Sequence, residues 1–172
     1  LVGILALVNY VARATGGEPD RDVLYKSSTA VAAIVQNAFM LLLVLGIAGS
    51  VSLLALRHPR SWLRALGLAV LVLIAIGLVA QGLEAVLDAG KEQGLTPDRW
   101  DPARAGAYTF NFVVIAAVVP IVEEAVFRGV GVSLLRRWGA PAAIVGTAVA
   151  FAAAHGLVQG FPTLLVFGIG LA

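Results

Sequence analysis

The chain contains no cysteine, which excludes disulfides, thiolate metal sites and a cysteine nucleophile, and leaves the redox compartment unread. Charge is scarce as well: 13% of the residues are charged, against about a quarter in an ordinary soluble domain. The net charge is only +2, and no basic run or aromatic-interleaved patch points to a nucleic acid partner. No segments of about 10 residues with strict apolar and polar alternation recur, so a transmembrane barrel is not expected.

What fills the sequence instead is apolar: 60% of its 172 residues. An apolar run of about 20 residues is long enough to span the hydrocarbon core of a bilayer, and at least three stretches here reach that length with few charges inside them. The pattern predicts an all-α, polytopic transmembrane helix bundle, because in lipid only helices or closed barrels satisfy their own backbone groups. Between the charged loops the expected spans are a remnant at 1–12, then 30–56, 65–87, 107–135 and 141–158, and a last one from 162. The chain opens at Leu1 and closes at Ala172 inside an apolar run, so the bundle is expected to be truncated at both ends.

Two junctions carry basic residues and no acid: Arg57-His58-Pro59-Arg60-Ser61-Trp62-Leu63-Arg64 and Arg136-Arg137-Trp138. By the positive-inside rule, loops 57–64 and 136–140 face the cytoplasm of a multi-pass cell-membrane protein. The loops at 13–29 and 88–106 mix signs, with Glu18, Asp20 and Asp22 in one and Asp88, Glu92, Asp98 and Asp101 in the other, which suits the outer face. Gln36, Asn37, Gln81, Glu84 and Asn111 lie inside spans but have an ordinary explanation in interfacial or helix–helix hydrogen bonding. His58 reads as a surface histidine of a cytoplasmic loop.

Glu123 and Glu124 are harder to excuse. They are the only acids after Gly106 and lie mid-span in Val118-Val119-Pro120-Ile121-Val122-Glu123-Glu124-Ala125-Val126-Phe127-Arg128-Gly129. A charge at the centre of a membrane helix costs about 2.5–3.5 kcal/mol on insertion scales, so such residues persist where they pair or line a wet cavity. Arg128, four residues after Glu124, shares its helix face and favours an ion pair with the acid N-terminal. Glu123 points about 100° away and is left without an obvious local partner. Pro120 lacks a backbone donor, so it either kinks the helix or restarts it near the glutamates.

The next span carries Phe151-Ala152-Ala153-Ala154-His155-Gly156, with the only histidine in any span. About a hairpin at Trp138-Gly139, Glu123 and His155 each lie about 23–24 Å up their helices at about 1.5 Å per residue. Antiparallel neighbours would bring them level, close enough to share one water.

The pattern Glu123-Glu124-x-x-x-Arg128 followed by Phe151-x-x-x-His155, with Pro120, Phe127 and Gly129 around it, resembles the CPBP family of CAAX-prenyl proteases and bacteriocin-processing enzymes, also called the Abi family. The resemblance covers roughly residues 107–172. It implies a helix bundle around a conical cavity, with residues 1–105 as N-terminal helices and loops and 106–172 as part of the protease core. It further implies that Glu123 activates water, that His155 assists it or helps to hold a metal, and that Glu124 and Arg128 form a supporting ion pair. A later family helix, carrying a second histidine followed by Asn or Asp, is not in this sequence; Phe167-Gly168-Ile169-Gly170 resembles the helix that precedes it.

Peptide hydrolysis needs a base for water and a donor for the oxyanion, and a Glu/His pair suits both. A divalent metal such as zinc stays open as a cofactor, with Glu123 and His155 as its candidate ligands, because a catalytic zinc normally takes three protein ligands. The expected substrate is a peptide or membrane protein whose identity these residues do not specify. The competing interpretation is a non-enzymatic scaffold, immunity protein or transporter with a structural Glu/Arg/His network.

Overall fold

An apolar segment in lipid closes its own backbone hydrogen bonds by coiling into a helix. The computed structural model describes residues 7–8, 10–12, 15, 22–49, 59–87, 97 and 99–172, and every regular element among them is helical. Three helices are long and apolar enough to cross a membrane: α1 (Ser27–Ala48), α2 (Trp62–Leu87) and α3 (Pro102–Trp138). Two shorter apolar helices follow, α4 (Ala140–Ala154) and α5 (Phe161–Gly170). His58 and most of the acidic loop residues, Glu18, Asp20, Asp88, Glu92 and Asp98 among them, lie outside the described residues.

Two span boundaries differ from the hydropathy pattern for a backbone reason. Of the span expected at 30–56, residues 50–56 lie outside the described residues; the described helix runs to Ala48, where Gly49 turns left-handed with φ 64° and its N–H reaches the Leu45 carbonyl at 3.1 Å. Such a residue closes a helix, and glycine adopts it without the Cβ penalty of other residues. The span expected at 141–158 likewise stops at Ala154, because Gly156 has φ 64°. Hydropathy marks apolar length and is blind to both stops.

The chain divides into two compact units. One comprises Glu18–Ala55 and Gly94–Val130. In it α1 presents an inward stripe of Ala30, Asn37 and Val44, one residue in every seven, and packs along the first part of α3. Asn111, Val114, Val122 and Val126 form the buried stripe of α3. A polar and aromatic clasp ties the starts of the two helices together. Asn111, 1% exposed, donates from Nδ2 to the carbonyls of Leu24, Lys26 and Ala107 at 2.9–3.0 Å. The Tyr25 hydroxyl donates to the Arg99 carbonyl and accepts from the Asp101 N–H, both at 3.1 Å. Asp101 caps α3 through the Ala103 N–H at 3.0 Å, ahead of Pro102, which needs no donor at that position. Arg104 pairs with Asp101 at 2.6 Å and Asp22 at 3.3 Å and lies 4.6 Å from the Tyr25 ring centre. Tyr25, Trp100 and Tyr108 complete the cluster with ring centroids 5.3–6.4 Å apart.

The other unit comprises Leu1–Gly17, Leu56–Gln93 and Gly131–Ala172. Here α5 packs against both α4 and α2. A Cβ on Gly168 would sit 2.7 Å from the Ala148 Cα, so α4 and α5 touch backbone to backbone, as small residues allow in membrane helix pairs. Thr147 is buried in α4 and satisfies its hydroxyl by donating to the Ala143 carbonyl at 2.7 Å. A tight turn at Gly139, φ 98°, reverses the chain between α3 and α4, where the sequence places a hairpin. Of the side chains on α2 only Ile76 is buried, which leaves most of this helix facing outward, as a lipid-facing helix does.

Candidate active site

The two glutamates occupy an irregular part of α3. Helical dihedrals run without interruption through Val118 and Val119 into Pro120, so proline does not restart the helix. The strain of its missing N–H and its ring against the preceding turn is taken up one step earlier, where Val114–Val118 widens into a π turn. A second wide stretch, Glu124–Gly131, follows at once. Wide turns of this kind occur within α-helices and gather at functional sites. Sequence reasoning missed both; Pro120 was the one signal of the first.

The structure brings Glu124 and Arg128 together: Arg128 Nη1 lies 3.4 Å from Glu124 Oε1, with the arginine side chain 11% exposed and the glutamate 48%. The charge of Glu123 also reaches Arg128. Glu123 is therefore less isolated than the spacing implied, and the two carboxylates differ in degree, Glu124 holding the direct ion pair and Glu123 lying half-buried beside it.

His155 belongs to the other unit. It is the residue on which α4 ends, with φ −77° and ψ −18°, and its N–H reaches the Ala152 carbonyl at 3.3 Å. The ring nitrogen Nδ1 is 2.9 Å from the Phe151 carbonyl oxygen. A carbonyl only accepts, so Nδ1 carries the hydrogen, and in the neutral ring the lone pair is on Nε2. The Phe151 ring packs edge-on against the imidazole, 4.8 Å between centroids. The four-residue spacing of Phe151 and His155 thus selects one tautomer and one ring orientation. Beside this turn a cleft of about 550 Å³ is bounded by Ala153, Gly156, Leu157 and Phe161 among others, and its lining is almost wholly apolar.

Among the described residues no three His, Asp or Glu side chains come together as a metal-binding group. A catalytic zinc takes three protein ligands, of which Glu123 and His155 could supply two.

Residues 105–172 match the family of Rce1-like type II CAAX prenyl endopeptidases. No curated protein and no solved structure is similar enough to the chain to count as a match. The matched stretch holds Glu123, Glu124, Arg128, Phe151 and His155 and leaves out α1 and α2. It agrees with the family resemblance read from those same residues, and at that level this part of the chain is similar to a CAAX-type protease of membranes.

Proposed function

We propose that the protein is an intramembrane endopeptidase in which Glu123 is the base for the attacking water and His155 is its partner. The observation that carries this reading is a carboxylate at the end of a short α-helical stretch between two wide turns of a membrane-crossing helix, inside the stretch matched to a CAAX endopeptidase family. Water bound between Glu123 and the Nε2 lone pair of His155 gives a proton to Glu123 as its oxygen attacks the peptide carbonyl. The carbonyl electrons move onto oxygen, the C–N bond then breaks, and the proton on Glu123 passes to the leaving amine. A base positioned this way typically contributes about 10²–10⁴-fold in rate. Glu124 and Arg128 hold the segment in shape. The apolar cleft next to His155 suits an apolar part of the substrate, such as a prenyl group on a cysteine near a C-terminus.

The junctions at 57–64 and 136–140 are assigned to the cytoplasmic side. An impermeant thiol label added outside intact cells should miss single cysteines placed at Arg60 or Arg137 and reach one placed at Gly94; the opposite pattern would reverse the orientation.

The test of the paired site uses the absence of native cysteine in this chain. Cysteines at Glu123 and His155 should be joined by a bifunctional thiol reagent with a reach of about 6–7 Å, the span of two hydrogen bonds through one water. Full-length enzyme in lipid vesicles should also cleave a quenched fluorescent farnesylated peptide ending in Cys-Ala-Ala-Xaa and lose this on Glu123→Gln. Failure of the short cross-link with a longer one succeeding would sink the shared-water model; full activity of Glu123→Gln would remove its base.

A further inference from the structure

Asn37 is buried at 7% exposure on the inward stripe of α1. Its Nδ2 donates to the Ala33 carbonyl of its own helix at 2.9 Å, while its Oδ1 is buried and has no hydrogen-bond partner among the described residues. A buried acceptor left without a donor costs free energy and calls for an explanation.

Register shows what lies at its depth. The Asn111 clasp joins α3 to the carbonyls of Leu24 and Lys26 at the start of α1. From there the two helices run in the same direction, with α1 touching α3 at Ala105–Val113, Val114–Val118 and Val119–Glu123. Asn37 lies eleven residues beyond Lys26 and Glu123 twelve beyond Asn111, so both sit about 16–18 Å further along at about 1.5 Å per residue. The α3 residues at this level are Val118, Val119, Pro120, Ile121, Val122 and Glu123. Of these side chains only Glu123 can donate a hydrogen bond, and only while it carries a proton.

We propose that Asn37 is a positioning residue for Glu123, its Oδ1 accepting the O–H of the Glu123 carboxylic acid. An ionised carboxylate and an amide oxygen are both acceptors and do not bond, which accounts for the unpartnered Oδ1 in the ionised state. When Glu123 takes a proton from water, its new O–H gains an acceptor. The proton is held there until the leaving amine receives it, so nothing is gained or lost over the turnover. Asn111 also has a partnerless Oδ1, but its Nδ2 is anchored by three carbonyls of the clasp. Asn37 is held only to its own helix.

The role in turnover rests on Glu123 being the base, so the test includes a measurement that does not. Glu123→Gln installs a permanent amide donor, so it should raise Tm in the native background and lose that gain in an Asn37→Leu background. Asn37→Leu removes a buried acceptor and should leave Tm equal or higher, yet lower kcat about tenfold with KM within about twofold. Asn37→Gln, with the amide oxygen on a longer arm, should recover part of that loss. Equal Tm gains from Glu123→Gln in both backgrounds, or unchanged kcat in Asn37→Leu while Glu123→Gln is inactive, would overturn the Asn37 role alone. Full activity in Glu123→Gln would overturn the base and the turnover role together, and the Tm cycle would still report whether the two side chains meet.

Discussion

The two stretches of α3 within its first unit treat polar residues in opposite ways. Along Ala105–Val113 the helix is regular, and its polar groups clamp neighbouring backbone: Asn111 holds three carbonyls, while Asp101 and Arg104 just before it cap and pair. From Val114 onward two wide turns, Val114–Val118 and Glu124–Gly131, flank the short α-helical stretch Val119–Glu123, and the polar groups are carboxylates and a guanidinium on a helix apolar enough to cross a membrane. The clasp is what stability asks of buried polar groups, each donor matched to an acceptor. The wide stretch keeps charge where a membrane disfavours it, the mark of a functional site. The lesson is that polarity inside a span is informative only together with local helix geometry.

Four substitutions sharpen or break this contrast. The largest effect is expected from Glu123→Gln, which should lower peptide cleavage by about 10²–10⁴-fold while the protein melts no earlier than the native form. Asn111→Leu should act the other way round. Depriving the Leu24 and Lys26 carbonyls of their donor should cost about 2–3 kcal/mol of stability, read by denaturant unfolding, with kcat per folded molecule preserved. A large kcat loss there would mean that the clasp is not separate from the chemistry.

Glu124→Gln should be intermediate. It takes the direct partner from Arg128, whose side chain is 11% exposed, but Glu124 is itself 48% exposed, so the expected loss is about 1–2 kcal/mol. Pairing it with Arg128→Met should restore part of that stability. A purely catalytic loss without destabilisation would show that Glu124 shares the role assigned to Glu123. A chelator series on the same enzyme gives a parallel check: activity independent of chelation supports Glu123 as the base, and loss restored by zinc supports metal-activated water.

The smallest effect belongs to the clasp rim. The hydrogen bond from Arg104 holds the Asp101 carboxyl below its ordinary value of 3.8, a direction its cap to the Ala103 N–H reinforces. A group depressed on folding adds stability above its unfolded value and loses it as pH falls through its folded value. Asp101→Asn should therefore lower Tm slightly at pH 5–7, and the gap should close only below about pH 4. A gap that persists unchanged into strong acid would show that the charge of Asp101 contributes nothing.

Much of this arrangement was legible in the chain itself. Apolar length marked the three crossing helices, the Glu124 to Arg128 spacing gave the ion pair, and Trp138-Gly139 gave the hairpin turn, because each depends on neighbours within a few residues. The stops at Gly49 and Gly156 were visible as glycines but not as stops, since glycine inside a membrane helix is common. Asn37 and Asn111 looked alike in sequence. Only packing of α1 along α3 separates them, one clamping carbonyls and the other keeping a buried oxygen without a hydrogen-bond partner among the described residues.

By itself the sequence determined that the chain is a membrane helix protein and where its carboxylates and intramembrane histidine fall. These follow from composition, period and spacing, all local properties. The tertiary structure decided the rest: that strain from Pro120 appears as a wide turn instead of a break, that the Phe151 carbonyl holds the His155 ring nitrogen Nδ1, and that Asn37 is buried on the inward stripe of α1. Helical period tells which residues share a face, but which face finds a partner, and at what register, is fixed only when helices pack.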